Sequence, residues 1–254
     1  MKDRIELNSN AVMQRKEFGE DASSPIDIFA VINNTEHITL LFYPISERIS
    51  GCCIRIDEED SLIVINSNMS YGRQRYTIAH EMYHLYFQNQ FRKVICGKDI
   101  ESVKDAEEKN ADAFASYFLA PYDAIKLYVH NELHKTEKEP LTLVDVVKIE
   151  QYFGMSRQAT LYRLLNDNYI TLEFANTLKS NVIQTARELG FDDKLYLPAP
   201  QEKQFLTTGS YIKLAERLKA KNSVSQGKYE ELLLDAFRPD IVYNLNIEGK
   251  EKYD

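Results

Sequence analysis

Long apolar runs are missing from this sequence. No stretch approaches the ~18 to 20 uninterrupted apolar residues that a membrane helix requires. The first twenty residues carry charge throughout and hold no apolar signal-peptide core, so the expected location is cytoplasmic. Cysteine is scarce: three residues, with Cys52 and Cys53 adjacent, make a poor disulfide framework and read as reduced thiols in a buried strand. Positive charge is also short. The 31 basic residues against 39 acidic ones leave a net charge of −8, which argues against a nonspecific grip on phosphate backbones and points to protein partners. Internal repeats and low-complexity segments are absent too.

What remains is an ordinary globular balance, 44% apolar and 28% charged. The 254 residues suffice for one large domain or a main domain with an appendage. Residues 1 to about 30 read as a helix followed by a turn at Ser23-Ser24-Pro25, and 26 to 65 as strand-like. Three short runs rich in β-branched and aromatic residues predict strands at Ile38–Tyr43, Gly51–Ile56 and Ser61–Ile65, the last two joined through the acidic turn Asp57–Asp60. The period then changes. Ile78, Met82 and Leu85 recur at helical steps over Arg73–Gln90, and a second helix is expected over Val103–Leu119, stopped by Pro121. Two further helices flank Gly154 and Ser156, residues suited to end one helix and cap the next. Pro198-Ala199-Pro200 reads as a linker, and Tyr211–Phe237 as helical with a break near Ser223–Gly227. The expectation is an α+β fold: a small, mainly antiparallel sheet packed with helices, then a helical C-terminal part. Its segments are a catalytic domain over 1–137, a helix-turn-helix-like segment over 138–197 and a C-terminal segment over 198–254.

The chemistry concentrates in His80-Glu81-Met82-Tyr83-His84. Histidines four apart on a helix project from one face, one turn apart, as two imidazoles must to ligate one zinc ion. Glu81 lies roughly 100° around the helix from His80, able to address a metal-bound water without ligating the metal. It would act as general base, taking a proton from water that zinc has acidified and returning it to the leaving amine. With five histidines in the chain, chance placement of two around a glutamate is a poor alternative. His130 and His134 share the spacing but carry Asn131 where the base would sit, and read as an exposed helix end.

A catalytic zinc commonly takes three protein ligands and one open position. On the second helix Glu108, Ala111, Ala115 and Phe118 form one stripe, and the small alanines would let that helix approach the first and bring Glu108 to the metal. Glu107 points roughly 100° away, toward solvent, and Asp112 lies off the stripe as the weaker competitor. Arg75, Tyr122 and His130 are candidates for stabilising an oxyanion, with none preferred. The ligand set leaves manganese open beside zinc.

Arg75–His84 and Glu108–Pro121, with Pro25–Ile28, Ile49–Gly51 and Ile63–Asn66 upstream, resemble the ImmA/IrrE family of metallopeptidases over roughly residues 1 to 165. Ala120 departs mildly, where a bulkier apolar residue often precedes the proline. The resemblance implies His80 and His84 as zinc ligands, Glu81 as catalytic base and Glu108 as third ligand. It also implies a bacterial or phage mobile-element context, with a helix-turn-helix repressor or antitoxin as the cleaved partner. Two rivals stand beside this reading. Leu141–Leu165 resembles a helix-turn-helix, which suggests a DNA-binding regulator with a structural metal, although Arg157 and Arg163 are the chief basic residues of its second helix. A non-catalytic protein-binding module is the other, and Glu81 speaks against it because a structural site needs no base.

Overall fold

The computed structural model describes residues 2–88, 93–97 (backbone only), 106–136 and 139–244. Expected helix positions 89–90 and 103–105, and loop positions 137–138, lie outside them.

Helix α1 (Arg4–Glu17) ends well before residue 30. Arg15, buried near its end, donates to the carbonyls of Asp21, Ser24 and Phe118, which ties the following loop down. The strand-like reading of 26–65 fails over its first part. Ile28–Asn34 is helix α2, capped by the Asp27 side chain on the Ala30 amide, and its apolar residues Ile28, Val31 and Ile32 bury one helical face. Strands β1 (Ile38–Tyr43), β2 (Ile49–Arg55) and β3 (Ser61–Asn66) then follow as their composition predicts. The β2–β3 hairpin closes through Asp57, whose carboxylate accepts from the amides of Glu59 and Asp60.

After helix α3 (Tyr71–Phe87), strand β4 (Lys93–Gly97) completes one side of the sheet. Helices α4 (Ala106–Leu119), α5 (Tyr122–Asn131), α6 (Leu143–Phe153) and α7 (Arg157–Asn166) come next. Short helices α8 (Leu172–Thr177) and α9 (Val182–Glu188) lead to strand β5 (Leu206–Gly209), which the helical reading of the C-terminal part did not contain. Helices α10 (Ser210–Ala220), α11 (Gln226–Asp235) and α12 (Pro239–Tyr243) end the described chain. The sheet order is β4-β2-β3-β1-β5. Its pairings are antiparallel except β1–β3, which run parallel. The fold is therefore α+β with a mainly antiparallel sheet.

Helix α3 is the centre of the molecule, with every residue from Gly72 to His84 buried. It can lie close to β2 because Gly51 has no side chain: a Cβ there would fall 2.6 Å from the Val64 carbonyl oxygen and 2.7 Å from Thr77 Cγ2. One apolar core runs from Leu7 through Leu178, with smaller clusters around Val147 and Leu195 and around Tyr229 and Leu233. Gly154 ends α6 in the left-handed conformation, and Ser156 caps α7 by accepting from the Ala159 amide. Pro198 does not stand off as a free linker: it bridges to Ser70, and the Leu197 carbonyl accepts from the Tyr71 amide at the start of α3.

Candidate metal centre

His80 and His84 sit on the face of α3 that meets α4. Their Nε2 atoms stand 3.1 Å apart. Ala111, Ala115 and Phe118 of α4 are fully buried, and the close approach brings the Glu108 carboxylate to both rings, with Oε2 3.3 Å from His80 Nε2 and Oε1 3.5 Å from His84 Nε2. The donor atoms of His80, His84 and Glu108 lie within 4.8 Å of one another, and no other such group of three occurs among the described residues. His130 and His134 are both exposed, outside any such group.

Each imidazole is also held from behind. His80 Nδ1 donates to Asp112 Oδ1 at 2.9 Å, and His84 Nδ1 lies 2.5 Å from Gln88 Oε1. Asp112 accepts from the Tyr76 hydroxyl as well. Metal-ligating histidines almost always present their second nitrogen to such a partner, which fixes the tautomer and the ring plane. This donor set, two Nε2 atoms and a carboxylate with both Nδ1 atoms oriented, fits a divalent metal.

The electrostatics agree with the geometry. Burial opposes charge on His80, but hydrogen bonds to Asp112 and Glu108 outweigh it and raise its pKa to about 10. Burial, and then the charge on His80, lower His84 to about 4. The neighbouring carboxylates thus pull His80 toward its charged form, while burial and His80 push His84 toward its neutral form.

Glu81 is fully buried and turned toward β2. The Cys53 thiol is buried near its carboxylate; burial first and the Glu81 charge second push that thiol far above its usual pKa. Glu107 is not left to solvent as its helical angle suggests: it is half-buried and accepts from the Tyr83 hydroxyl at 2.9 Å. Arg75 is spent elsewhere, donating to the carbonyls of Ile26 and Gly154. Tyr122 and His130 are exposed, and nothing in their contacts assigns either an oxyanion role.

Sequence reasoning missed the supporting partners. Tyr76, four residues before His80, and Gln88, four after His84, carry the same i, i+4 signal that exposed the histidines. For Asp112 we expect Asp112→Asn to weaken metal binding about 10- to 100-fold with little loss of folded protein. Competition against a chelator of known affinity measures it, and unchanged affinity would remove Asp112 from the site.

No curated protein matches the chain. Residues 47–165 match the family model Peptidase_M78, described as the IrrE N-terminal-like domain. Beginning at 47, the match is narrower than the resemblance over 1–165 but holds His80, Glu81, His84, Glu108 and Asp112, and over that stretch the chain is similar to the M78 peptidases, in agreement with the ImmA/IrrE resemblance.

Proposed function

We propose that this protein is a zinc-dependent endopeptidase of the cytoplasm, with His80, His84 and Glu108 as metal ligands and Glu81 as the catalytic base. The observation that carries the reading is the meeting of three donors from two helices, one residue away from a buried carboxylate. A zinc ion bound there would acidify a coordinated water toward a pKa of ~7 and polarise a carbonyl. Glu81 would accept the proton of the attacking water and return it to the leaving amine. Cys53 and Gly51 bound the space behind Glu81, so its carboxylate is held against β2. Manganese remains the alternative metal for this donor set.

The substrate we propose is a helix-turn-helix repressor or antitoxin, supported by the family resemblance. Residues 1–137 would form the catalytic domain, 138–197 the helical segment beside it and 198–254 an appendage. The DNA-binding rival loses its footing at α7. Arg157 is 5% and Arg163 1% exposed, the first paired with Glu150 and the second with Asp167, so neither reaches out as a groove-reading side chain must.

The test is to incubate the purified protein with the helix-turn-helix regulators that its neighbouring genes encode and to map fragments by mass spectrometry. Expected are a defined cleavage, its loss on treatment with a chelator, its return with zinc, and about one metal per chain by elemental analysis. Cleavage that survives full metal removal would sink the reading.

A further inference from the structure

Of the three donors, Glu108 alone comes from outside α3, and it stands in the first turn of α4, which begins at Ala106. The opening amides of a helix have no intrahelical partner, so a first turn is the part that holds itself least. Ala111 and Ala115, one and two turns further on, let the helices approach but give the first turn no direction.

Tyr83 supplies a hold at that level. Its ring is fully buried, stacked on Phe87 with centroids 5.9 Å apart, tilted against Phe114 at 5.8 Å and edge-on to His84 at 5.8 Å. A buried tyrosine hydroxyl usually finds a partner, and this one donates to Glu107 Oε2 at 2.9 Å. The bond thus joins the residue before His84 to the residue before Glu108. Asn110, 2% exposed, lies beside the same hydroxyl, and its Oδ1 accepts from the Lys2 backbone amide at 3.0 Å. The Lys2 ammonium stands 5.6 Å from the centre of the Tyr83 ring. Helix α3, the start of α4 and the residues ahead of α1 therefore converge on one phenol.

We propose that Tyr83 is a positioning residue for the metal centre: through Glu107 it fixes the first turn of α4 so that Glu108 meets His80 and His84. The inference rests on reading those three residues as metal ligands. Tyr83 acts through α4 and does not join the donor set. Its hold is a hydrogen bond, so an acceptor oxygen at 107 suffices and a negative charge there is not required.

The test compares the full-length parent with Tyr83→Phe, Glu107→Ala and Glu107→Gln. Zinc affinity is measured by competition against a chelator. The visible absorption of the cobalt-loaded proteins, which follows coordination geometry, is the second readout. Tyr83→Phe keeps the packed ring and should weaken zinc about tenfold, the low end for groups that support ligands from behind. It should also alter the cobalt spectrum, with the metal-free melting temperature within about 4 °C of the parent. Glu107→Ala should do the same, and Glu107→Gln, which keeps an acceptor oxygen, should match the parent in both readouts. Zinc affinity within threefold of the parent in Tyr83→Phe, or loss in Tyr83→Phe with none in Glu107→Ala, would overturn the proposal alone. A parent protein that takes up no metal would overturn the metal reading and the proposal with it.

Discussion

Glu81→Gln is expected to keep its metal and to lose cleavage by about 10²- to 10⁴-fold, the usual contribution of a positioned general base. The substitution is nearly isosteric, which matters at a fully buried position pressed against β2. The amide keeps the shape of the carboxylate, so its packing against Gly51 of the strand survives. What disappears is basicity. His80, His84 and Glu108 are untouched, so metal content by elemental analysis should match the unsubstituted protein. The measurement is kcat/KM for cleavage of the proposed helix-turn-helix substrate, alongside metal content and melting temperature. Activity within tenfold of the parent would mean another group takes the proton. Loss of metal together with activity would mean Glu81 supports the ligand helix instead.

Arg163→Ala is expected to cost about 3 to 5 kcal/mol of stability, the range for breaking a buried ion pair from one side. Arg163 is 1% exposed and reaches from α7 to the end of α4. Its Nη1 donates to the carbonyls of Ser116 at 3.0 Å and Ala120 at 2.6 Å, its Nε to Asp167 at 2.6 Å, and its guanidinium stacks 4.1 Å over Tyr117. Alanine would strand the Asp167 carboxylate, whose side chain is 4% exposed, and take from the Ala120 carbonyl its donor, while the Ser116 carbonyl keeps the Ala120 amide. Urea unfolding at fixed pH measures the loss. A change below about 1 kcal/mol would show that the pair is replaced by water and that α7 is not what holds the end of α4.

These two residues mark the range of what the sequence disclosed. Glu81 was legible because its neighbours are four apart on a helix, a local pattern that chain order displays. Glu108 followed from a stripe of small residues that permits two helices to meet. Arg163 was visible only as a basic residue in a helix-turn-helix-like segment, since the α4 carbonyls it holds lie more than 40 positions away. The strands were readable one by one from their residue types, but the parallel β1–β3 pairing and the return of β5 to β1 join distant segments that no local period encodes. Asp112 shows a different gap. A spacing of four from Glu108 advances about 40° around the helix, enough to leave the stripe. An imidazole has nitrogens on two sides, however, and that offset carries Asp112 to the second nitrogen of His80.

The pairing of β5 with β1 has a consequence for the matched region taken alone. Residues 206–209 occupy the backbone edge of Thr39–Phe42. A chain ending at residue 165 would leave that edge bare, with Leu40 and Phe42 on the strand behind it. An open edge is a template for whatever strand arrives next. The last quarter of the protein thus acts as a selvedge, keeping a sheet whose centre serves the metal helix from knitting itself to its neighbours.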